Sequence, residues 1–351
     1  MTPAPPLRSL VTGGAGYIGS HLVVSLLQAG HEVVVVDDLS SGHLEALRRA
    51  ENLGGGRVRW FAGDIDDPAV MASALRGVDV VFHLAARKQV WESVLRPEAY
   101  LAANVGGTTA LLDSMQRAGV TRLIHASSAA VYGTQSARPI VEDAPLRPES
   151  PYGLTKAQVE AQLATMARCR GWSTVSLRYF NPVGAHPSGM LGEPPGHGAS
   201  LVSRALGVLA SPGERLCVFG TDHPTPDRTA LRDYLHVCDL ARIHLAVLPL
   251  LRPGTHGVFN VGSGRAVSVR EVLATCARVT GRPVPQADGP RRPGDVPVSW
   301  ADPTRLAWAT GIEPDDDLDA MVAAAWRWVQ ANPRGYGPAG RARPSSVALP
   351  V

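Results

Sequence analysis

Short apolar runs alternate with helical patterns through the first half of the chain. Leu7–Thr12 reads as one strand, and His31–Val36, with four consecutive valines, as a second. A β-branched run without polar alternation suits a parallel strand buried on both faces. Val58–Ala62, Val78–Leu84, Arg122–Ser127 and Thr174–Tyr179 are predicted as further strands. Helical spacing marks Gly19–Ala29, Pro68–Leu75, Pro97–Ala118 and Tyr152–Arg170. This alternation predicts an α/β fold with a doubly wound parallel sheet. After Asn181 proline and glycine thicken and the elements shorten. The expected division is a first domain at 7–181 and a smaller α/β domain at 182–331. Segments around 232–262, with a strand at Val258–Val261, are expected to pack back on the first domain. Residues 332–351, rich in Pro, Gly, Ala and Arg, are expected to form a disordered tail.

Composition narrows the class. The 351 residues are 45% hydrophobic and 19% charged, an ordinary globular balance with room for two domains. A net charge of +3 is too small and too dispersed to predict nucleic-acid binding. No apolar run approaches the ~18 residues of a membrane span. Met1–Pro6 carries none of the pattern of a signal peptide. Cys169, Cys217, Cys238 and Cys276 are too widely spaced for a zinc site or a disulfide framework, so a cytoplasmic location and no metal are expected. Of the 34 basic residues only Lys88 and Lys156 are lysine. Lysine is a compact, tunable ammonium and arginine a permanently charged fork, so these two positions invite a specific role.

The first strand runs into Gly13-Gly14-Ala15-Gly16-Tyr17-Ile18-Gly19, which opens a helix. In a strand–glycine turn–helix unit, backbone N–H groups approach a pyrophosphate at the helix N-terminus, the arrangement of a Rossmann-type dinucleotide site. The second strand leads into Asp37, placed to accept hydrogen bonds from the adenosine ribose. Its charge and that of Asp38 oppose a 2′-phosphate, so NAD is expected rather than NADP. Asp64 and Ile65, after the third strand, are candidates for the adenine end.

Tyr152 and Lys156 stand at i and i+4, on one face of a predicted helix. Tyrosine ionises near pH ~10. A nearby ammonium, with the positive charge of an oxidised nicotinamide, is expected to favour the phenolate and make Tyr152 a proton shuttle. Ser128, at the end of the Arg122–Ser127 strand, is placed to hold the reacting oxygen.

The chain resembles the extended short-chain dehydrogenase/reductases, and among them the UDP-glucose 4-epimerases. The likeness runs from about residue 7 to 337. It is carried by Thr12–His21, Ser150-Pro151-Tyr152-Gly153, Arg178–Ser188, Arg232-Asp233-Tyr234 with His236-Val237, and Arg291-Arg292 with Gly294-Asp295. The resemblance implies a resident NAD contacted also by Leu84, Ala85, Ala86, Lys88, Asn104 and Phe180. It implies a UDP-hexose substrate held at Asn181, Ser200, Leu201, Cys217, Phe219, Arg232, Arg292 and Asp295. It implies reversible oxidation at C4, turning of the keto sugar and re-reduction, in a homodimer paired through the two long helices. Ser299 matches a gating position, and its small size implies that N-acetylated UDP-sugars are also accepted.

This chain departs from the family pattern in places. Ala199-Ser200-Leu201 stands where Asn-Asn-Leu is common, so Ser200 offers shorter reach and fewer donors than asparagine. Ala126 and Ala130 replace hydroxyl residues, and Ala85-Ala86 replaces Ala-Gly. Three other readings stay open. A 4,6-dehydratase lacks its acid, since Ala129-Ala130 follows Ser128. A uronate epimerase or decarboxylase needs a cation for the extra carboxylate, with Arg87 a remote candidate. A non-catalytic NAD-binding regulator is set against the retained Tyr152 and Lys156.

Overall fold

A computed structural model describes residues 6–135, 138–195, 198–211 and 213–337. The first part of the chain runs β1 (Arg8–Thr12), α1 (Tyr17–Gln28), β2 (Glu32–Asp37), α2 (Leu44–Gly54), β3 (Val58–Ala62), α3 (Pro68–Ala74) and β4 (Val80–His83). It continues through α4 (Val90–Leu95), α5 (Pro97–Tyr100), α6 (Gly107–Ala118), β5 (Arg122–Ser128), α7 (Pro151–Arg170) and β6 (Ser173–Tyr179). Then come β7 (Asn181–Val183), α8 (Leu201–Ala210), β8 (Leu216–Phe219), β9 (Leu231–His236), α9 (Val237–Ala246) and β10 (Thr255–Val261). The last elements are β11 (Ala266–Ser268), α10 (Val269–Thr280), β12 (Gln286–Gly289), β13 (Val298–Ser299), α11 (Thr304–Thr310) and α12 (Leu318–Ala331).

Seven strands form one parallel sheet in the order β10-β6-β5-β4-β1-β2-β3. The four valines of β2 are buried, as a central strand covered by helices on both faces requires. One core gathers α1, α2 and α9 on one face of the sheet. Another gathers α3, α6 and α7 on the opposite face. The order reverses between β1 and β4, where open α/β sheets bind ligands at their strand ends. A smaller unit, with its own core of α8, α10 and α12 over β8 and β9, is built from the later residues. β10 lies beside β6 in the large sheet, so the chain returns to it after crossing the smaller unit.

Three local differences from the sequence reading have physical reasons. The predicted single helix Pro97–Ala118 is divided: α5 and α6 flank a π-helical turn at Leu101–Gly106. That turn carries Asn104, and such turns recur at functional sites. Helix α2 is not marked in the sequence reading; its buried face rests on Ala46, Leu47 and Ala50 alone, in an otherwise polar segment. Residues 332–337 pack against the protein: Asn332 and Arg49 share a hydrogen bond, and the Tyr336 hydroxyl pairs with the backbone of Gly192. The remainder of the expected tail, from 338, lies outside the described residues.

Candidate active site

The glycine turn is held by its neighbours. Gly13 has φ near +71° and donates to Val36, while its carbonyl accepts from Gly16. A side chain at Gly13 would meet the backbone of Ala85 at 2.8 Å, and one at Gly19 would strike the Gly13 carbonyl. Gly16 differs: its missing Cβ would find only the Gly13 oxygen, at 3.3 Å, leaving open space beyond. Gly16 also caps α1 without a side chain, so the N–H groups at Tyr17, Ile18 and Gly19 have no capping partner. An open glycine wall before uncapped donors fits a pyrophosphate. The Tyr17 hydroxyl donates to Gly184, which leaves its backbone N–H as the group facing the turn.

Asp37 is buried, and its two oxygens accept from Ala15 and Leu39 at 2.9 and 2.8 Å. Burial pushes its pKa up against those two bonds. Each oxygen keeps a lone pair for a ribose hydroxyl. Asp38 is exposed and holds Ser40. Asp64 is exposed, with a pKa raised by partial burial and by Asp66, while Ile65 packs under Gly107. These are the groups a cofactor's adenosine half would meet.

At the end of β4, Thr12 accepts from the N–H of Leu84 and of Ala85 and so pins both beside Gly13. Ala86 and Lys88 are exposed. The resemblance sets Lys88 and Asn104 against the cofactor, and each also has a partner within the protein. Lys88 reaches Glu193 at 3.4 Å. Asn104 is buried; it donates to Arg87 and Thr155 and accepts from the Arg87 N–H, so both its amide hydrogens are engaged. It ties the loop carrying Lys88 to α7. Phe180 lies in a core cluster with Val131, Tyr132, Ile140 and Ala301, and only its backbone is left for a ligand.

Ser150 caps α7 and Pro151 occupies its first turn, a start signal legible in the sequence. Ser93 accepts from the Tyr152 N–H at 3.1 Å and so fixes the next residue. Tyr152 and Lys156 share the face of α7 turned to β5, with the ammonium 5.9 Å from the phenol ring centre. Lys156 donates to the Ala126 carbonyl at 2.8 Å. Its pKa is lowered to about 8 by burial, which Glu160 partly offsets. Tyr152 shifts in the opposite direction to Lys156. Burial raises its pKa, and the Ser128 hydroxyl beside it pulls back only in part. In the protein alone, desolvation of the phenolate outweighs the Ser128 hydrogen bond. Ser128 ends β5 and also accepts from Ala130 at 3.2 Å.

The second group of candidates converges across this strand end. Asn181 donates to the Asp233 carbonyl at 2.9 Å. Buried Asp233, unmarked in the sequence reading except as part of a motif, accepts from Ser263, Gly264 and Ala301. It thereby clamps β9 to the strand that returns through β10. Arg232 stands opposite Ser299 in the β9–β13 pairing and lies 3.9 Å from Asp295. Ser299 is buried. The Arg292 guanidinium stacks 3.9 Å over the Phe219 ring. Gly294 brings the loop between Arg292 and Asp295 against Ser150 and Val90, next to the start of α7. Cys217 lies two residues before Phe219 on β8, and Leu201 begins α8. The Ser200 hydroxyl is turned into its own helix, donating to the Ser203 hydroxyl and accepting from the Ser203 N–H. Among the described residues no group of His, Cys, Asp and Glu is arranged to hold a metal ion.

Fold and site together define an NAD-binding α/β enzyme with a Tyr–Lys pair beside a strand-end serine. The chain belongs to the NAD dependent epimerase/dehydratase family, whose sequence profile matches residues 9–262. It is 44% identical over 334 residues to a UDP-glucose 4-epimerase of Yersinia pestis, spanning 93% of this chain and 98% of that protein. Its structure superimposes with a TM-score of 0.90 on UDP-glucose 4-epimerase from Bifidobacterium longum in complex with NAD+ and UDP, at 39% identity, covering 93% of this chain and 99% of the other. A UDP-glucose-4-epimerase from Stenotrophomonas maltophila, with bound NAD and formylated UDP-arabinopyranose, gives 0.89 at 40% identity over 93% and 99% of the two chains.

Proposed function

We propose that this chain is an isomerase that interconverts UDP-glucose and UDP-galactose, with NAD as its resident cofactor. The observation that carries the reading is the meeting of Tyr152, Lys156 and Ser128 at the strand end beside the glycine turn, in a chain alike over nearly its whole length to UDP-glucose 4-epimerases. Bound there, NAD would supply the hydride acceptor and donor for C4 of the sugar.

In this reading Tyr152 removes the proton of the 4′-hydroxyl and later gives it back. Ser128 holds the 4′-oxygen. Lys156 supplies positive charge beside the phenol and a donor for the nicotinamide ribose. Gly13, Gly16, Tyr17, Ile18 and Gly19 cradle the pyrophosphate, Asp37 holds the adenosine ribose, and Asp38, Asp64 and Ile65 border the adenosine. The Leu84–Ala86 backbone and that of Phe180 flank the nicotinamide half. Arg232 and Arg292 hold the diphosphate, with Asp295, Cys217, Phe219 and Leu201 toward the uridine and Asn181 toward the sugar. Holding one end firmly leaves the hexose free to present its other face.

Small, buried Ser299 supports turnover of UDP-N-acetylglucosamine and UDP-N-acetylgalactosamine as well. A homodimer is part of the reading. Val105, Leu112 and Met166 line a groove between α6 and α7, and Leu101 and Leu154 are exposed nearby. Self-association covers such a strip. We place the protein in the cytoplasm, which suits its four widely spaced cysteines. No helix among the described residues is long and apolar enough to cross a membrane.

The test is product analysis with UDP-galactose. Formation of UDP-glucose without net NADH release is the expected result. Bound NAD with no turnover, or loss of water from the sugar, overturns the reading.

A further inference from the structure

The nucleotide end of the site contains a third arginine. Arg204 lies on α8, four residues after Ser200, and so projects from the same helical face one turn along. Its guanidinium is 5.9 Å from the centre of the Phe219 ring, the ring that Arg292 covers at 3.9 Å. Two guanidinium groups therefore share one aromatic side chain. Among the described residues neither has a carboxylate within ion-pair distance; Asp295 makes its contact with Arg232. The two charges oppose each other. The pKa of Arg292 is lowered by burial and by Arg204, against Asp295 and Cys217, and that of Arg204 is lowered by burial, against Cys217. Concentrating unpaired, half-buried positive charge is costly unless an anion completes the site.

The neighbouring serine is not free to complete the site. Ser200 is the N-cap of α8, one turn before Arg204. Here the Ser200 hydroxyl is spent on Ser203 at the start of α8. The serine hydroxyl is thus engaged within its own helix end, while a guanidinium with five donors stands one turn away, beside Arg292. We infer that Arg204 is a phosphate-binding residue, which supplies to the nucleotide diphosphate the grip that Ser200 does not. The inference rests on the UDP-sugar reading of this site and adds a residue to it. An arginine fork suits adjacent phosphate oxygens, and no oxygen of an uncharged nucleoside would draw it as strongly.

Calorimetry with the NAD-loaded enzyme tests this, using UDP and uridine as the two probes. Arg204→Met keeps the apolar stem and removes the fork. The expected result is a roughly tenfold to hundredfold weaker Kd for UDP, as for a lost charge-assisted hydrogen bond, with uridine unchanged. KM for UDP-galactose rises in parallel while kcat stays within about twofold, as for loss of uniform binding. Adding Ser200→Asn to Arg204→Met restores part of the UDP affinity, because the longer amide places donors one turn from the lost fork. Equal weakening toward uridine and UDP would assign Arg204 to the base or to packing of α8 and overturn the inference. So would an unchanged UDP affinity in a variant that melts like the parent. A parent enzyme that binds no UDP overturns the functional reading itself, and the Arg204 assignment with it.

Discussion

The Lys156 ammonium donates to the carbonyl oxygen of Ala126 at 2.8 Å, two residues before Ser128 on the strand that lines the site. This bond sets the helix bearing the Tyr–Lys pair against the strand bearing the serine. It needs a compact head on a four-carbon stem in a buried place.

Lys156→Arg is therefore expected to impair turnover although the charge is kept. A planar fork cannot enter the same space beside Ala126 without moving Tyr152. Steady-state rates on UDP-galactose should fall by at least about tenfold, with the fold intact by circular dichroism. Parental activity in this variant would reduce the scarcity of lysine to a matter of composition.

Tyr152→Phe should fold, keep its bound NAD and lose about a hundredfold or more in kcat, as for removal of the acid–base group. In the parent, burial raises the Tyr152 pKa, so activity limited by its ionisation should climb on the alkaline side of neutrality. A flat profile from neutral to alkaline pH would place the proton transfer on another group.

The buried lysine also predicts a trend in stability. Its pKa is about 8 in the folded chain, below the 10.5 of a free lysine. The unfolded state thus binds more protons between those two values, and stability gains from Lys156 as pH rises through that window. Lys156→Met lacks this gain. The difference in melting temperature, parent minus variant, should grow from pH 8 toward 10.5. A difference that stays constant would mean the ammonium is solvated.

Ser299 stands across from Arg232 in the β9–β13 pairing, so a larger side chain there intrudes on the same pocket. Ser299→Tyr should retain UDP-galactose turnover within about tenfold and abolish turnover of UDP-N-acetylgalactosamine. If the parent turns over no N-acetylated sugar, the small residue is not the gate.

Gly19→Ala places a methyl against the Gly13 carbonyl. The backbone of the turn must shift, and NAD retained through purification, read by absorbance after denaturation, should drop sharply. Retention at the parental level would show that the turn tolerates the shift.

Much of this site is readable one segment at a time. The glycine turn, the i and i+4 spacing of Tyr152 and Lys156, and the cap Ser150-Pro151 depend on neighbours within one turn of chain, where backbone geometry is local. The valine run of β2 announces a strand covered on both faces for the same reason. The split of the predicted Pro97–Ala118 helix could not be read this way. Asn104 turns inward to bond Arg87 and Thr155, contacts that exist only once α7 is packed.

Partners of the charged side chains were likewise decided in three dimensions. Lys88 pairs with Glu193, and Arg204 meets Arg292 over Phe219. Ionisation follows the same rule. Tyr152 moves up because desolvation depends on everything packed around it, whereas sequence shows only that a lysine is near. The sequence by itself determined which groups are available and the local turns that present them. Only the tertiary structure decided which are buried, which are already paired and which remain for a ligand, because burial and long-range hydrogen bonding are properties of the folded chain.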